Sequence, residues 1–362
     1  MNTLTSRLSG KLADTLRQKL LTEEFSAGQL LPGERALSRQ YKVSGKTVRR
    51  ALKILEAEAL IAPESRRGHR VLGRVNSPEN GYPLALVIAK PASHGAEWFY
   101  RRIMSEMQDA AGQRARSMLC IQSNGRAGGD IAAHLKAARA SGVIVESADR
   151  ELIGTIANLG IPIVLADAWA EGVALDTVVQ DGFAGAMLAA EYLAEQGCKR
   201  LAFIGPELKA STPQIAERFG GAVTGAVRCG LSLDAARCVS APMGDHAAAV
   251  NCARQLLSGK VRPDGIIAPW QSYGLAVHTA ARELGLKPGV DFQWVGWSTE
   301  EDFETEFAQK LQLDWIPPTV IWSVAELAEM CILRLMQRQA DPRLPASFTR
   351  IPMKLRLVNR GK

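Results

Sequence analysis

Residues 31–71 contain three short motifs in a fixed order, and this order constrains the fold more than any other feature of the chain. The first, Leu-Pro-Gly-Glu-Arg-Ala-Leu, predicts a short helix, because Pro32 fits the first turn, where its fixed φ and missing N–H are tolerated. Ser44 is a favourable N-cap for a second helix. That helix carries apolar residues at helical spacing, which predicts one buried face: Val48, Leu52, Leu55 and Ala59.

The other face of the second helix is predicted to point outward and is basic, with Lys46, Thr47, Arg49, Arg50 and Lys53. A helix with one apolar and one basic face, preceded by a helix and a tight turn, suits the major groove of DNA. Two apolar runs then flank Pro-Glu-Ser-Arg-Arg-Gly-His, which predicts a two-stranded wing with a basic tip. The alternative is a basic helical hairpin that is only solvated.

Residues 8–73 resemble the winged helix-turn-helix of the GntR family of bacterial repressors. The resemblance rests on an N-terminal helix, the Leu-Pro-x-Glu-Arg run, the Val-Ser-x-x-Thr-Val-Arg helix and a Gly-containing wing. In that family the Arg of the Glu-Arg pair, the start of the recognition helix and the wing tip contact DNA. The resemblance therefore implies DNA contacts from Arg35, Ser44, Lys46, Thr47, Arg49, Gly68 and His69. Basic neighbours complete the predicted set: Arg50, Lys53, Arg66 and Arg67.

One departure from the GntR pattern concerns base recognition. Many members place Arg directly after the Val-Ser pair, whereas this chain has Gly45 followed by Lys46. An Arg fork reads guanine with two hydrogen bonds, while Lys acts more as a point charge. The operator sequence therefore does not transfer from relatives.

The net charge of +7 is unevenly distributed along the 362 residues. Residues 1–74 hold 15 Lys/Arg and 7 Asp/Glu, and the remainder holds 29 basic and 30 acidic residues. The surplus positive charge thus lies on the segment predicted to bind DNA, where phosphates attract it.

After a turn-rich segment at 73–83, short aliphatic runs alternate with Ala- and Leu-rich segments of helical length. Apolar strands alternating with helices predict parallel sheets covered on both faces. The runs are 84–89, 118–121, 143–145, 161–165, 201–204, 266–267 and 294–295, and the helical segments include 98–115, 182–197, 243–258 and 272–285. We predict an α/β protein in which an N-terminal winged helix precedes two Rossmann-like subdomains.

Residues 82–360 resemble the effector domain of the LacI/GalR repressors, which has the type I periplasmic binding protein fold. The resemblance rests on Gly-Ile-Pro-Ile-Val-Leu-Ala-Asp ending at 167, Cys-Lys-Arg-Leu-Ala-Phe-Ile-Gly ending at 205, Arg-Phe-Gly-Gly from 218 and Pro-Asp-Gly-Ile-Ile from 263. It implies two subdomains, three crossovers near 178–181, 320–324 and 340, and a ligand cleft beyond the carboxyl ends of the strands.

The predicted domains are a winged helix at 1–74, a linker at 75–82 and an effector-binding and dimerisation domain at 83–362. Subdomain one would comprise 83–178 and 323–340, and subdomain two 179–322 and 341–362.

The LacI/GalR resemblance implies effector contacts from Glu146, Asp167 and Arg218. Sugar-binding relatives usually carry Asn-Asp and Gly-Phe-Asp where this chain has Trp270-Gln271 and Gly296-Trp297-Ser298. Two carboxylates that would bind vicinal hydroxyls are replaced, which argues against an ordinary monosaccharide effector.

Tryptophans lie where these carboxylates and other cleft groups would be. Indole faces stack on sugars and on aromatic or cationic ligands, whereas in the alternative these rings only fill the interior. The predicted effector-binding residues are Trp98, Glu146, Asp167, Trp169, Arg218, Trp270, Gln271, Ser298 and Trp322; Trp297 matches a cleft position too, and Trp294 and Trp315 are assigned to core or surface.

No catalytic or cofactor motif is present in the sequence: there is no Gly-x-Gly-x-x-Gly after the first strand, no P-loop and no Gly-x-Ser-x-Gly. We therefore expect no enzyme activity and no cofactor. The six cysteines form no CxxC pair and lack histidines at metal-ligand spacing, so we expect reduced thiols and no metal. The polar N-terminus and the lack of a long apolar run predict a cytoplasmic protein.

These features together predict a homodimeric bacterial transcription regulator, and they favour a repressor. It would bind a near-palindromic operator in double-stranded DNA, under the control of a sugar, sugar-like or aromatic effector. The alternative is an effector-independent DNA-binding regulator whose cleft is vestigial and filled by tryptophan.

Overall fold

Two compact units, Met1–Pro83 and Leu84–Lys362, make up the computed structural model. The structure describes residues 9–13, 15–16, 19, 25, 29–57, 61–64, 68–71, 82–88, 97–123, 125–146, 150–169, 172–207, 213–309 and 315–357. The predicted linker, 75–82, lies outside the described residues except for Tyr82. Among the described residues, no helix is long and apolar enough to cross a membrane.

The N-terminal unit is a helix-turn-helix with a wing. Helical residues 9–13 precede α1 (Glu34–Gln40), α2 (Gly45–Ala57), β1 (Ile61–Glu64) and β2 (Gly68–Val71). Residues 29–31 pair with strand β2 of the wing. The Leu31 N–H donates to the His69 carbonyl at 2.8 Å, and the Val71 N–H donates to the Gln29 carbonyl at 2.8 Å. The apolar face of α2 is buried as predicted at Val48, Leu52 and Leu55, whereas Ala59 lies outside the described residues.

The second unit contains two six-stranded sheets and their covering helices. Its strands are β3 (Leu84–Ile88), β4 (Met118–Gln122), β5 (Gly142–Glu146), β6 (Ile163–Ala166), β7 (Asp176–Gln180), β8 (Leu201–Gly205), β9 (Cys238–Ser240), β10 (Gly265–Ile267), β11 (Gln293–Thr299), β12 (Thr319–Trp322), β13 (Phe348–Ile351) and β14 (Lys354–Arg356). Its helices are α3 (Glu97–Gly112), α4 (Gly128–Ala137), α5 (Arg150–Ala157), α6 (Gly182–Glu195), α7 (Pro213–Arg228), α8 (His246–Ser258), α9 (Gln271–Glu283) and α10 (Val324–Ala340).

The strand orders are β13-β7-β6-β5-β3-β4 and β14-β12-β11-β10-β8-β9. Every pairing in the first sheet is parallel, and β14 pairs antiparallel with β12 in the second. Central strands such as β5 and β8 are buried along their whole length, as expected for a sheet covered on both faces. The prediction of an α/β protein with two parallel-sheet subdomains is confirmed.

The third crossover differs from the sequence prediction. The sequence assigned 341–362 to the second subdomain, but β13 pairs with β7 of the first sheet, from Phe348 opposite Thr177 to Ile351 opposite Gln180. The chain therefore passes to the second sheet between β13 and β14. A four-residue edge strand with alternating exposure carries too weak an apolar signal to be assigned to either sheet from sequence.

Helices α6 and α7 pack with their backbones unusually close. A Cβ added at Gly221 would lie 2.1 Å from the Phe183 carbonyl oxygen, and one at Gly225 would lie 2.6 Å from the Met187 carbonyl oxygen. Contacts of this length with main-chain atoms force one helix to move. Glycine at 221 is therefore a packing requirement of this helix pair.

We expect Gly221→Ala to lower the free energy of unfolding by about 1–3 kcal/mol, the usual cost of overpacking. Gly220→Ala is the matched control, because its Cβ would lie 3.7 Å from the Phe183 ring, an ordinary contact. A urea titration of both variants measures the difference. Equal stability of the two variants would contradict the close helix packing.

Candidate DNA-binding surface and ligand cleft

The start of α2 is organised by a side-chain cap. The Ser44 hydroxyl accepts the Thr47 N–H at 3.2 Å and lies 2.8 Å from the Thr47 hydroxyl. Thr47 is only 3% exposed, so its predicted outward orientation is wrong. The side chain turns back onto the cap because the first turn of a helix has N–H groups that need acceptors.

The basic face of the N-terminal unit is exposed at Arg35, Lys46, Arg49 and Lys53, and Arg50 is half-buried. Arg49 is held towards α1, with its Nε 3.3 Å from the Glu34 carboxylate. Both partners remain well exposed, so this pair adds little to stability. Its effect is to orient the Arg49 side chain on the outer face of α2.

The wing residues have two different environments. Gly68 is exposed and has φ +107°, a left-handed conformation that favours glycine. His69 is half-buried, and its Nε2 lies 2.6 Å from the Glu56 carboxylate of α2, which fixes the wing against the second helix. Arg66 and Arg67, predicted at the wing tip, lie outside the described residues.

In the second unit, two acidic residues of the predicted effector set lie at the carboxyl ends of neighbouring strands. Glu146 ends β5 and is 2% exposed, and Asp167 follows β6 and is 9% exposed. Burial first, and then the charges of Glu146 and Asp167, raise the pKa of the Tyr100 phenol of α3 well above its usual range. This end of the cleft is therefore acidic and buried.

A chain of hydrogen bonds connects the two subdomains. Trp297 Nε1 donates to Gln180 Oε1 at 3.0 Å, and Gln180 Nε2 donates to Asp167 Oδ2 at 3.0 Å. Gln214 of α7 donates to the Asp167 carbonyl at 2.5 Å. Asp167 has φ +46°, which is strained for a non-glycine residue. These hydrogen bonds hold both the carboxylate and the carbonyl of Asp167. The bond between Trp297 and Gln180 also links β11 to β7.

Arg218 of α7 is buried, and its guanidinium lies over two indole rings. Its guanidinium carbon lies 4.2 Å from the Trp270 centroid and 4.5 Å from the Trp297 centroid, and Nη1 donates to the Pro269 carbonyl at 2.5 Å. Burial lowers the Arg218 pKa to about 10, against the opposing charges of Asp167 and Glu217. The side chain therefore stays protonated at neutral pH, and its charge is stabilised by the ring faces.

The other predicted effector residues are less closely connected. Trp322 is 3% exposed and packs on Phe99, at 6.0 Å between centroids. Trp98, half-buried, also contacts Phe99, at 6.0 Å. Trp169 packs instead on Phe348 of the edge strand β13, at 5.9 Å. Gln271 begins α9 half-buried, and Ser298 of β11 is buried with its hydroxyl lacking a hydrogen-bond partner among the described residues.

Two ion pairs join the subdomains. Arg102 of α3 binds Asp302, with Nη2 2.7 Å from Oδ1 and Nε 3.1 Å from both carboxylate oxygens. Arg350 of β13 binds Glu217 of α7 at 2.6 and 3.2 Å. Bidentate guanidinium–carboxylate pairs are geometrically specific. They hold the two halves in register around the buried residues.

Sequence reasoning missed Tyr100, Gln180 and Gln214 as residues of this region. Gln180 had a usable signal, because it lies within the predicted crossover near 178–181 and ends a buried strand. Tyr100 and Gln214 lie near helix starts, where the sequence gives no indication of which residue faces a distant sheet.

Comparison with protein families assigns the two parts separately. Residues 8–71 match the family model of bacterial regulatory proteins of the gntR family. Residues 190–361 match the model of the periplasmic binding protein-like domain. The helix-turn-helix and the two-sheet architecture described above agree with these assignments. The chain thus combines a GntR-family helix-turn-helix domain with a periplasmic-binding-protein-like domain.

Individual relatives share one part or the fold. The HTH-type transcriptional regulator YieP of Escherichia coli is 42% identical over 69 residues, which are 19% of this chain and 30% of YieP. A solved complex of the transcriptional regulator CelR with cellobiose has a TM-score of 0.65 at 17% identity, over 87% of this chain and 90% of that one. A LacI-family regulatory protein from Chloroflexus aggregans has a TM-score of 0.64 at 18% identity, over 75% and 96%. These structures establish a shared fold.

Proposed function

We propose that this chain is a DNA-binding transcription regulator of the cytoplasm. Of the two kinds of regulator, we propose a repressor and not an activator. The observation that carries the proposal is the exposed basic face of α2 within a domain that matches the gntR family. Arg35 of α1 and Lys46, Arg49 and Lys53 of α2 are four exposed cations of the helix-turn-helix, which suits a phosphate-lined major groove. In this proposal Arg49, oriented by Glu34, contacts a base edge.

We expect Arg49→Ala and Arg35→Ala each to weaken operator binding by about 1–3 kcal/mol if they read bases. Lys53→Ala should weaken binding to all sequences alike and flatten the salt dependence, because a phosphate contact carries no sequence information. The DNA is first selected from a random duplex library with the full chain, and mobility-shift titrations then compare the variants. Arg282→Ala, an exposed substitution in α9, is the control. Unchanged affinity in both arginine variants would refute the groove assignment.

We further propose a homodimer that binds a near-palindromic operator. Two helix-turn-helix domains bind half-sites spaced by about one helical turn, roughly 34–36 Å. Sedimentation of the full chain at micromolar concentration should give a dimer, and the selected DNA should contain two related half-sites. A monomer with a single asymmetric site would contradict this arrangement.

The second unit is proposed to bind a small-molecule effector in its cleft. Its support is the position of Glu146, Asp167, Gln180 and Trp322 at the carboxyl ends of strands, the usual ligand position in open α/β sheets. The cellobiose bound to CelR adds support from a protein of the same fold. An effector shifts DNA binding only through different affinities for two states of the regulator.

A second candidate function is effector-independent DNA binding. The buried Arg218 over the Trp270 and Trp297 rings favours this alternative, because these side chains already fill part of the cleft. A thermal-shift screen of fractionated metabolites against the full chain separates the two candidates. A fraction that raises the melting temperature and changes operator affinity supports effector control. If no fraction has both effects, the result supports effector-independent binding.

A further inference from the structure

The wing strand β2 turns the His69 side chain towards α2. Side chains alternate across a β-strand, so residues two apart share a face. Val71 is 3% exposed and belongs to the apolar core of the N-terminal unit, and His69 lies two residues earlier on the same face. Arg70 lies on the opposite face, where it pairs with Glu64 of β1. The alternation therefore directs the His69 ring to the core side of the wing.

The main chain of His69 is held on both sides. His69 lies opposite Pro63 of β1, and its carbonyl accepts the Leu31 N–H at 2.8 Å. The ring Nε2 lies 2.6 Å from the Glu56 carboxylate of α2. An ionised carboxylate only accepts hydrogen bonds, so Nε2 carries the hydrogen of this bond. The bond thus joins the central strand of the wing sheet to the predicted recognition helix.

Glu56 lies on the basic face of α2. It follows Arg49 by seven residues and Lys53 by three, spacings that place side chains on one face of a helix. A carboxylate on a face that binds DNA repels the phosphates. Charge alone therefore predicts that removal of Glu56 strengthens DNA binding. The hydrogen bond with His69 gives the opposite prediction, because its loss releases the wing.

We propose that Glu56 promotes DNA binding in spite of its charge, because Glu56 and His69 together position the wing against α2. This inference rests on the proposed DNA-binding function. A wing that is fixed before binding loses less conformational freedom when it contacts DNA, which increases affinity. His69 is then a positioning residue that acts through Glu56, in place of the DNA contact predicted from sequence. Direct contact between His69 and DNA is the alternative that the test separates.

Two conservative variants of the full chain separate the hydrogen bond from the charge. Glu56→Asp keeps the charge and shortens the side chain, so it should weaken operator binding about threefold or more. Glu56→Gln removes the charge but keeps an oxygen that accepts the His69 hydrogen, so its affinity should stay within about threefold of wild type. Mobility-shift titrations on the selected DNA give the affinities. Glu151→Asp and Glu151→Gln, exposed substitutions in α5, are the matched controls and should leave binding unchanged.

A double-mutant cycle tests whether His69 acts through Glu56. Glu56→Ala and His69→Ala should each weaken operator binding about tenfold, and the double variant should be at most about twofold weaker than either. Circular dichroism checks that the helices are retained. The pair is partly exposed, so its loss should leave the domain folded. If an alanine variant unfolds, the comparison of Glu56→Asp with Glu56→Gln still decides.

Two outcomes overturn the proposal. The first is wild-type or tighter binding by Glu56→Asp, and the second is a double variant whose two losses multiply to about a hundredfold. Either result would favour direct contact between His69 and DNA or no role for the pair. A wild-type chain that selects no DNA would instead refute the proposed function itself. A wild type that binds DNA and loses affinity in Arg49→Ala, with unchanged binding in Glu56→Asp, would refute this inference alone.

Discussion

We expect Trp297→Ala to lower the free energy of unfolding by about 3–5 kcal/mol, the usual cost of truncating a buried tryptophan. The ring is 5% exposed, and it lies 4.5 Å from the Arg218 guanidinium. A Cβ added at Gly185 would come within 2.6 Å of its Cη2, so the space is closely packed on that side. Removal leaves a cavity and exposes one face of a buried cation to it.

Trp297→Phe separates ring volume from the indole hydrogen bond. It keeps most of the aromatic surface and loses the bond from Nε1 to Gln180 at 3.0 Å, so we expect a loss of about 1 kcal/mol. Urea denaturation followed by circular dichroism measures both variants. Wild-type stability of Trp297→Ala would show that the indole is not part of a packed core.

Asp176→Asn is expected to lower the free energy of unfolding at neutral pH by about 3–5 kcal/mol, because it breaks a buried ion pair on one side. Asp176 is 1% exposed and accepts Arg334 Nε at 2.7 Å, Arg338 Nε at 2.8 Å and the Ser347 N–H at 2.9 Å. The asparagine has the same size but no charge. Two largely buried guanidinium groups of α10 would lose their common counter-ion.

The Asp176 effect should depend on pH in a defined direction. Burial alone would raise the pKa of this carboxyl, but the bonds from Arg338, the Ser347 N–H and Arg334 hold it below its ordinary value. A carboxyl whose pKa is lower in the folded state stabilises the protein above its unfolded pKa of about 3.9 and loses this contribution as the pH falls. The stability difference between wild type and Asp176→Asn should therefore shrink below about pH 4. A difference that stays constant from pH 7 to acid, in urea titrations at several pH values, would exclude Asp176 as the titrating group. Asp109→Asn, an exposed substitution in α3, is the control.

Much of the architecture could be predicted from local patterns. The aliphatic runs at 84–89, 118–121 and 201–204 became β3, β4 and β8, and the segment at 182–197 became α6. These patterns are readable because a buried parallel strand is apolar throughout. The short strands β9, β13 and β14 were not predicted from apolar runs, and the edge position of β13 led to the wrong third crossover.

The predicted site residues divide by how far their environment depends on distant parts of the chain. Helical spacing correctly placed Lys46, Arg49 and Lys53 outside, and it failed for Thr47 because the cap at Ser44 competes for that side chain. His69 was predicted to contact DNA, and in the structure its side chain contacts Glu56 of α2, a partner that the sequence did not indicate.

The sequence by itself determined the order of domains, the helix-turn-helix and the succession of strands and helices, since periodicity and capping act within a few turns of the chain. Only the tertiary structure decided what the cleft residues contact. Arg218, Trp270 and Trp297 come from α7, the start of α9 and β11, and their stacking requires these elements to be packed first. The same holds for Glu146, Asp167 and Tyr100, which are buried by chain segments that the sequence keeps apart.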